Sequence, residues 1–221
     1  IVYWLTVEPT ASFWDCGEYI ACAWGLEVGH PPGAPLFLLL GRLAGLLSFG
    51  NNENVALMVN LLSATASAFT VFFLHLSITA LAKKALLKSQ DAEPFDFRQI
   101  MLVQLAGIAG ALSFAFTDTF WFSAVEGEVY ALSSLFTAIV VWAMLRWEAV
   151  ADEPQADRWL IFIAYMMGLS VGVHLLNLLC IPALVFIWYY RKYKTVSRLG
   201  LLMSGIVSVL LLGGIQNVLS A

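Results

Sequence analysis

Long apolar segments recur along the chain and constrain its fold more than any other feature. Residues 54–82, 99–117 and 199–218 contain no Asp, Glu, Lys or Arg. A membrane-spanning helix needs about 20 predominantly apolar residues to cross roughly 30 Å of hydrocarbon. Charged residues make up only 12% of the chain, which is about half of what a soluble domain carries. The sequence therefore predicts an all-α, polytopic transmembrane helical bundle.

We expect one transmembrane domain over residues 1–221. It begins with a first loop at 8–53, which precedes six membrane helices. These helices are predicted at 54–82, 99–117, 131–147, 158–173, 175–190 and 199–218. The opening letters IVYWLTV are too few to span a bilayer, and no Met precedes them. We therefore expect the chain to be an N-terminal fragment of a larger module.

Positive charge indicates how these helices are oriented. Every Lys and Arg except Arg42 falls in one of three short segments, 83–98, 146–158 and 191–198. The positive-inside rule places such segments in the cytoplasm. Arg158 and Arg191 then lie on the same side, so the apolar residues between them must form a hairpin that reverses near His174. The acidic and aromatic segment 117–130 becomes a loop on the outer side.

The segment 34–49 is too short to be a typical span, and it carries Arg42 at its centre. A charge at the middle of a membrane helix costs about 2.5–3.5 kcal/mol. We therefore expect a helix that lies flat at the outer interface. The first loop, 8–53, and the segment 117–130 then share the outer face.

The letters SFWDCGEY and HPPG, within that first loop, allow two interpretations. Asp15 and Glu18 have the spacing of a capping box, which would explain both acids as the start of a helix. Acids at membrane depth are also candidates for function, and a carboxylate in such a place can take a proton from a hydroxyl as a general base. His30 either hydrogen-bonds an anion or stabilises the proline turn.

The letters FWFSAVEGEVYAL form a second candidate group. Glu126 and Glu128 precede a membrane helix, where the helix dipole favours acidic side chains. The aromatic residues around them, Tyr130 included, fit an interfacial belt or the wall of a sugar or lipid site. At the predicted hairpin, His174 and Asn177 are expected to form a polar pair.

The chain contains no phosphate-binding P-loop motif and no HExxH motif. We expect no nucleic-acid partner. No ligand spacing demands a metal, although two acidic loops on one face can hold a divalent cation. Chemistry on the outer side needs a donor that is already there, such as a lipid-linked one.

The stretch EPTASFWDCGEYIACAWGLEVGHPPGAPLFLLLGR, with EGEVY and GLSVGVHLLN further on, resembles the GT-C superfamily of membrane glycosyltransferases. It resembles most closely the bacterial branch long labelled a domain of unknown function, which is related to the eukaryotic transmembrane protein O-mannosyltransferases. The resemblance is densest between Glu8 and Arg42. It implies a GT-C-like module with membrane-parallel helices in the first outer loop.

The resemblance also implies an activity. Such enzymes are inverting, and transfer a sugar, mannose or another hexose, from a polyprenyl phosphate to a protein Ser or Thr hydroxyl or another acceptor. Asp15 is implied as the general base and Glu18 as its catalytic neighbour. The substrate-binding residues implied are His30, Arg42, Glu126, Glu128, Tyr130 and His174. The implied location is the bacterial inner membrane, with the active site facing the periplasm.

Two other classes remain open at this point. An ion- or proton-coupled transporter would use Asp15, Glu126 and His174 as its path, but the predicted spans hold only His75 and small hydroxyls near their middle. A structural membrane subunit would tolerate changes at all of the candidate residues. The implied partners of the enzyme are the polyprenyl-phosphate sugar, an acceptor protein or glycan, and the bilayer itself.

Overall fold

The computed structural model describes residues 1–87, 95–193 and 195–220, with side chains described as far as residue 217. Lys88 and Lys194, which belong to the predicted basic segments, lie outside the described residues. Across the described ranges the chain is helical and has no strand. Five helices there are long and apolar enough to cross a membrane. The predicted all-α, polytopic membrane bundle is therefore confirmed.

Ten α-helices and two short 3₁₀ helices make up the described structure. The α-helices are α1 (Val2–Leu5), α2 (Cys16–Gly25), α3 (Pro35–Leu46), α4 (Val55–Leu87), α5 (Phe97–Ala115), α6 (Asp118–Val125), α7 (Val129–Val150), α8 (Arg158–Val171), α9 (Ile181–Lys192) and α10 (Arg198–Ser220). The 3₁₀ helices are Asn52–Asn54 and Leu175–Cys180.

Helix α4 is the central element and packs against α3, α5 and α7. Small side chains on α4 are fully buried and allow close approach, as is usual in membrane bundles. Gly107 of α5 lies directly against His75 and Thr79 of α4. A side chain at Gly107 would place its Cβ 2.5 Å from Thr79 Cγ2, so this contact requires glycine.

The described charges gather at two opposite ends of the bundle. At one end, which we call the basic end, Lys84 at the close of α4 pairs with Glu148 near the close of α7. Arg191 at the end of α9 donates to the Glu148 carbonyl oxygen (3.0 Å) and pairs with Asp152. Helix α4 has 33 residues, or about 50 Å at 1.5 Å per residue, and its first turns lie at the other end.

The opposite end, which we call the acidic end, contains both acidic segments. Asn60, in the second turn of α4, donates to the carbonyl oxygens of Glu8 and Thr10. The same residue lies beside Gly127, between the two acids that precede α7. The first loop and the second acidic segment therefore share one end, opposite the basic end.

The segment 117–130, predicted as a loop, contains the eight-residue helix α6. Thr117 precedes the helix with extended backbone, and Asp118 lies in its first turn. An acid in a first turn is favoured by the helix dipole. The aromatic residues that suggested a loop belong to this helix. Its side chains Phe120 and Ala124 are buried against residues of α1 and α4.

The hairpin is also less regular than predicted. Helix α8 ends at Val171, and the return arm begins with the 3₁₀ helix Leu175–Cys180 before α9. Pro182 lies in the first turn of α9 and has no N–H to continue an α-helix backwards. The membrane helix predicted at 175–190 corresponds to an apolar span over Leu175–Lys192 whose first residues are 3₁₀. The chain reverses at 172–174, as the charges predict.

Helix α3 covers most of the segment that we expected to lie at the interface. Its 12 residues extend about 18 Å, well short of a bilayer's hydrocarbon thickness. The backbone amide of Leu36 donates to the Gly172 carbonyl oxygen at 2.7 Å. This bond fixes the start of α3 to the turn of the hairpin at the acidic end.

Candidate active site

The first loop is held on the bundle mainly through its backbone. The Asn60 side-chain amide donates to Glu8 O at 2.6 Å and to Thr10 O at 2.8 Å. The Glu8 amide donates to the Val125 carbonyl oxygen at 2.9 Å. Ser12 completes the attachment with a short hydrogen bond to the Glu126 carboxylate. These bonds bring the residues before α2 onto the segment between α6 and α7.

A pocket of about 500 Å³ lies where the two segments meet. Four carboxyl groups line it, from Asp15, Asp118, Glu126 and Glu128. Three aromatic side chains, Trp14, Phe122 and Tyr130, complete the wall. Among the predicted site residues, the pocket therefore brings together Asp15, Glu126, Glu128 and Tyr130.

The carboxyl groups in the pocket differ in their exposure. The Asp15 side chain is 57% exposed. Glu126 and Glu128 are buried, with 2% and 5% of their surface exposed. Asp118 is also exposed. Two carboxylates of the pocket are therefore open to a ligand, and two are buried in its wall.

Burial changes the protonation of those two groups. It raises the pKa of Glu128 to about 7, with help from the negative charges of Glu126 and Asp15, while the backbone amides of Asp15 and Cys16 act the other way. Burial also raises the pKa of Glu126, against the opposing effect of the Ser12 hydrogen bond. Glu128 therefore holds a proton over part of the neutral range, and the buried pair carries less negative charge than its formula suggests.

The capping box predicted from Asp15 and Glu18 is not formed. Asp15 precedes α2 in a helical conformation (φ −82°, ψ −4°), and its side chain makes no capping hydrogen bond. Glu18 instead accepts from the backbone amide of His30 at 2.7 Å and contacts His30 Nδ1 at 3.1 Å. These bonds lower the pKa of Glu18. The spacing of the two acids is helical, but their partners come from HPPG.

His30 lies between Asp15 and Glu18. Its Nε2 is 3.9 Å from Asp15 Oδ2, and its ring is 5.7 Å from that of Tyr19. One ligand atom from each of Asp15, Glu18 and His30 lies within 4.8 Å of the others. Two carboxylates and an imidazole at this spacing form a donor set that a divalent transition-metal ion accepts.

Two predicted site residues lie elsewhere. Arg42 donates to the Trp24 carbonyl oxygen at 2.6 Å and stacks over the Trp24 ring at 4.2 Å, so its known contacts fasten α3 to α2. The His174 ring packs 5.5 Å from that of Tyr130. Its Nδ1 accepts from the Leu176 amide, whereas Asn177, its expected polar neighbour, donates to Ser170 Oγ at 2.8 Å.

Sequence reasoning missed four contributors to this site. Asp118 was assigned only to the outer face, and Ser12 and Trp14 were not assigned at all. Trp14 has a left-handed backbone (φ 62°) and an 84% exposed side chain, a conformation that a bulky residue rarely adopts. Asn60 gave one available signal, since a polar amide within an apolar membrane helix usually bonds to something.

Comparisons with known proteins find a matching family and related proteins. Residues 15–197 match the model of the family described as protein O-mannosyl-transferase TMEM260 N-terminal domain. The mouse protein O-mannosyl-transferase TMEM260 is 30% identical over 203 residues, which cover 90% of this chain and 26% of that protein. The Dictyostelium discoideum protein O-mannosyl-transferase tmem260 is 26% identical over 141 residues, which cover 64% of this chain and 15% of that protein.

The chain thus spans about a quarter or less of the length of these curated relatives. No solved structure matches it significantly.

Proposed function

The chain belongs to the protein O-mannosyl-transferase TMEM260 N-terminal domain family, and on this basis we propose that it carries the catalytic pocket of a membrane glycosyltransferase. The reaction is transfer of a hexose, mannose in the first instance, to a Ser or Thr hydroxyl of a protein. The observation that carries the proposal is the exposed Asp15 carboxylate, which lies beside His30 in an aromatic-walled pocket that also holds two buried acids.

In this reaction Asp15 acts as general base. The acceptor hydroxyl oxygen attacks the anomeric carbon of the sugar, and the hydroxyl proton passes to the Asp15 carboxylate. The bond between that carbon and the donor's phosphate oxygen breaks, and the lipid phosphate leaves. A carboxylate in reach of water and substrate suits this role. Asp15 is exposed and lies beside His30.

Glu18 and His30 support Asp15 in the proposed mechanism. Glu18 stays ionised because its hydrogen bonds from His30 lower its pKa. It fixes the His30 ring beside Asp15, where an imidazole N–H is able to donate to the departing phosphate. We assign that contact to His30 in preference to Arg42, whose guanidinium is engaged with Trp24.

The pocket walls suit a hexose. Trp14, Phe122 and Tyr130 offer apolar ring faces, while Asp118 offers a carboxylate that accepts hydrogen bonds from sugar hydroxyls. Holding Trp14 in the left-handed region costs about 1–3 kcal/mol. We infer that this conformation serves to present the ring at the pocket mouth.

A lipid-linked donor is supported by a second cavity. A cleft of about 330 Å³ lies between α4, α5 and α7, and Tyr130 lines both this cleft and the pocket. Its walls are mainly apolar, including Leu74 and Val141. We propose that the polyprenyl chain lies in this cleft, with its phosphate at the pocket. The acidic end then faces the side of the membrane opposite the cytoplasm, which is the side on which such donors are used.

Asp15→Asn in the full-length protein tests the assignment. We expect loss of mannose transfer from polyprenyl-phosphate mannose to acceptor protein, measured by mass spectrometry of the acceptor. Glu27→Gln is the matched control, since this exposed acid near the end of α2 lies outside the pocket and should leave transfer intact. Normal transfer by a folded Asp15→Asn variant would show that Asp15 is not the base.

A divalent metal is the alternative use of the same atoms. A cation held by Asp15, Glu18 and His30 would occupy the carboxylate that the mechanism needs as a proton acceptor. The two roles exclude one another. If Asp15 is the base, transfer by protein treated with a chelator is unchanged, whereas loss of activity that Mn²⁺ restores assigns the three side chains to a metal.

A further inference from the structure

A large cavity of the described structure shares no lining residue with the pocket of the candidate active site. It is a groove of about 790 Å³ bounded by α7, α8, α9 and α10. Apolar side chains from all four helices line it, among them Met144, Ile163, Leu184 and Met203. A groove with such walls between membrane helices accommodates hydrocarbon.

One end of the groove is polar. Tyr189, Tyr193, Thr195 and Ser197 line it there. The backbone amide of Ser197 donates to Tyr189 Oη at 3.2 Å. Gly200 allows this packing, because a Cβ at that position would lie 2.0 Å from the same hydroxyl. The polar end is thus a closely packed feature of the junction between α9 and α10.

The cations of the structure are concentrated at this same end. Lys192 and Arg198 are exposed and are sequence neighbours of the lining residues Tyr193 and Ser197. Arg191 is engaged with Asp152, so it contributes to the fold rather than to a ligand. No acidic side chain lines the groove within the described residues.

We propose that this groove binds a phospholipid with an anionic headgroup. Its acyl chain lies along the apolar walls, and its phosphate lies at the polar end, within reach of Lys192 and Arg198. Basic clusters at the ends of membrane helices bind anionic headgroups in this way. Trp188 and Tyr193, whose rings pack edge to face, supply the aromatic residues that favour the headgroup level.

A lipid fits the groove better than a further helix of the full-length protein does. The groove is apolar along most of its length and polar with adjacent cations at one end, which is the pattern of an amphiphile. A membrane helix packed in the same place would set apolar side chains against the hydroxyls and cations of that end.

Native mass spectrometry and melting of the full-length protein test this proposal. Phosphatidylglycerol and phosphatidylcholine with identical acyl chains are compared as probes. We expect tighter binding and a larger rise in Tm with phosphatidylglycerol. Lys192→Gln and Arg198→Gln should each weaken its binding about fivefold, since a cation near a headgroup contributes about 1 kcal/mol, and should leave phosphatidylcholine unaffected.

Variants at two valines of α10 distinguish lipid bound in the groove from lipid bound elsewhere on the membrane-facing surface. Val207 lines the groove, whereas Val209 is exposed and lies outside it. Val207→Trp should abolish phosphatidylglycerol binding, and Val209→Trp should preserve it. Equal affinity for the two lipids, equal effects of the two tryptophans, or photocrosslinking from position 203 to a part of the full-length protein outside residues 1–221 would each overturn the proposal. None of these measurements depends on sugar transfer.

Discussion

Replacing Asn60 with Ala should release the first loop from the bundle while the bundle itself stays folded. Asn60 is fully buried. Its side chain donates two hydrogen bonds to the loop carbonyls of Glu8 and Thr10 and accepts a weak one from Cys16 Sγ at 3.9 Å. No other described side chain donates to these two carbonyl oxygens.

The cost follows from those contacts. A buried acceptor left without a donor costs about 1–3 kcal/mol, and Thr10 is exposed enough for water to replace part of its bond. We therefore expect a loss of about 2–4 kcal/mol for the attachment of residues 8–16. At the lower limit, the open population of the loop rises about 30-fold.

Hydrogen exchange measured by mass spectrometry follows this opening directly. Peptides covering residues 8–16 should exchange about 30-fold faster or more in Asn60→Ala, while peptides from α10 keep their rate. Asn60→Asp preserves the size of the side chain but offers carboxylate oxygens to two carbonyls, so it should be at least as damaging. Asn54→Ala, an exposed asparagine six residues earlier, is the control. Unchanged exchange at 8–16 in Asn60→Ala would refute the view that this amide holds the loop.

Three further outcomes are expected. The pKa of Glu128 is raised to about 7 in the folded protein, so between pH 4.5 and 7 the folded state holds a proton that the unfolded chain has released, and stability falls as the pH rises. Glu128→Gln should flatten this dependence of Tm on pH in thermal melts, and an unaltered dependence would assign it to another group. Gly107→Ala should destabilise the protein by about 1–3 kcal/mol because its Cβ meets Thr79, whereas Gly205→Ala, which meets nothing within 4 Å, should not; equal melting of the two would contradict the close contact. A cysteine at Asn52, in a background without the native cysteines, should react with an impermeant thiol reagent from outside the cell, and labelling only after permeabilisation would reverse the proposed orientation.

The membrane architecture was predictable because the bilayer imposes a length on its helices. Uncharged runs such as 54–82 exceed the span of the hydrocarbon, so they fold as helices whatever their detailed neighbours. The grouping of Lys84, Glu148 and Arg191 at one end likewise follows from where charges are tolerated. These constraints act on each segment separately and can be recognised in sequence.

The details of the site were less predictable because they depend on contacts between distant segments. Glu18 is spaced from Asp15 as in a capping box, yet it bonds to His30, twelve residues further on. Asn60 contacts the backbone 50 residues earlier, and carbonyl oxygens leave no signature in the sequence. The break before α9 could have been anticipated from Pro182, which terminates helical hydrogen bonding in the N-terminal direction.

Asn60 donates to the main-chain oxygens of Glu8 and Thr10, so these bonds do not depend on which side chains those positions carry. Substitutions at these two positions should therefore be tolerated, whereas insertions or deletions between them and Asp15 should not. Adding or deleting one residue between Thr10 and Asp15 would shift the carboxylate along the chain while the anchor stays in place. In relatives of this protein, the number of residues between the anchored carbonyls and the acid that corresponds to Asp15 should vary far less than the identities of those residues.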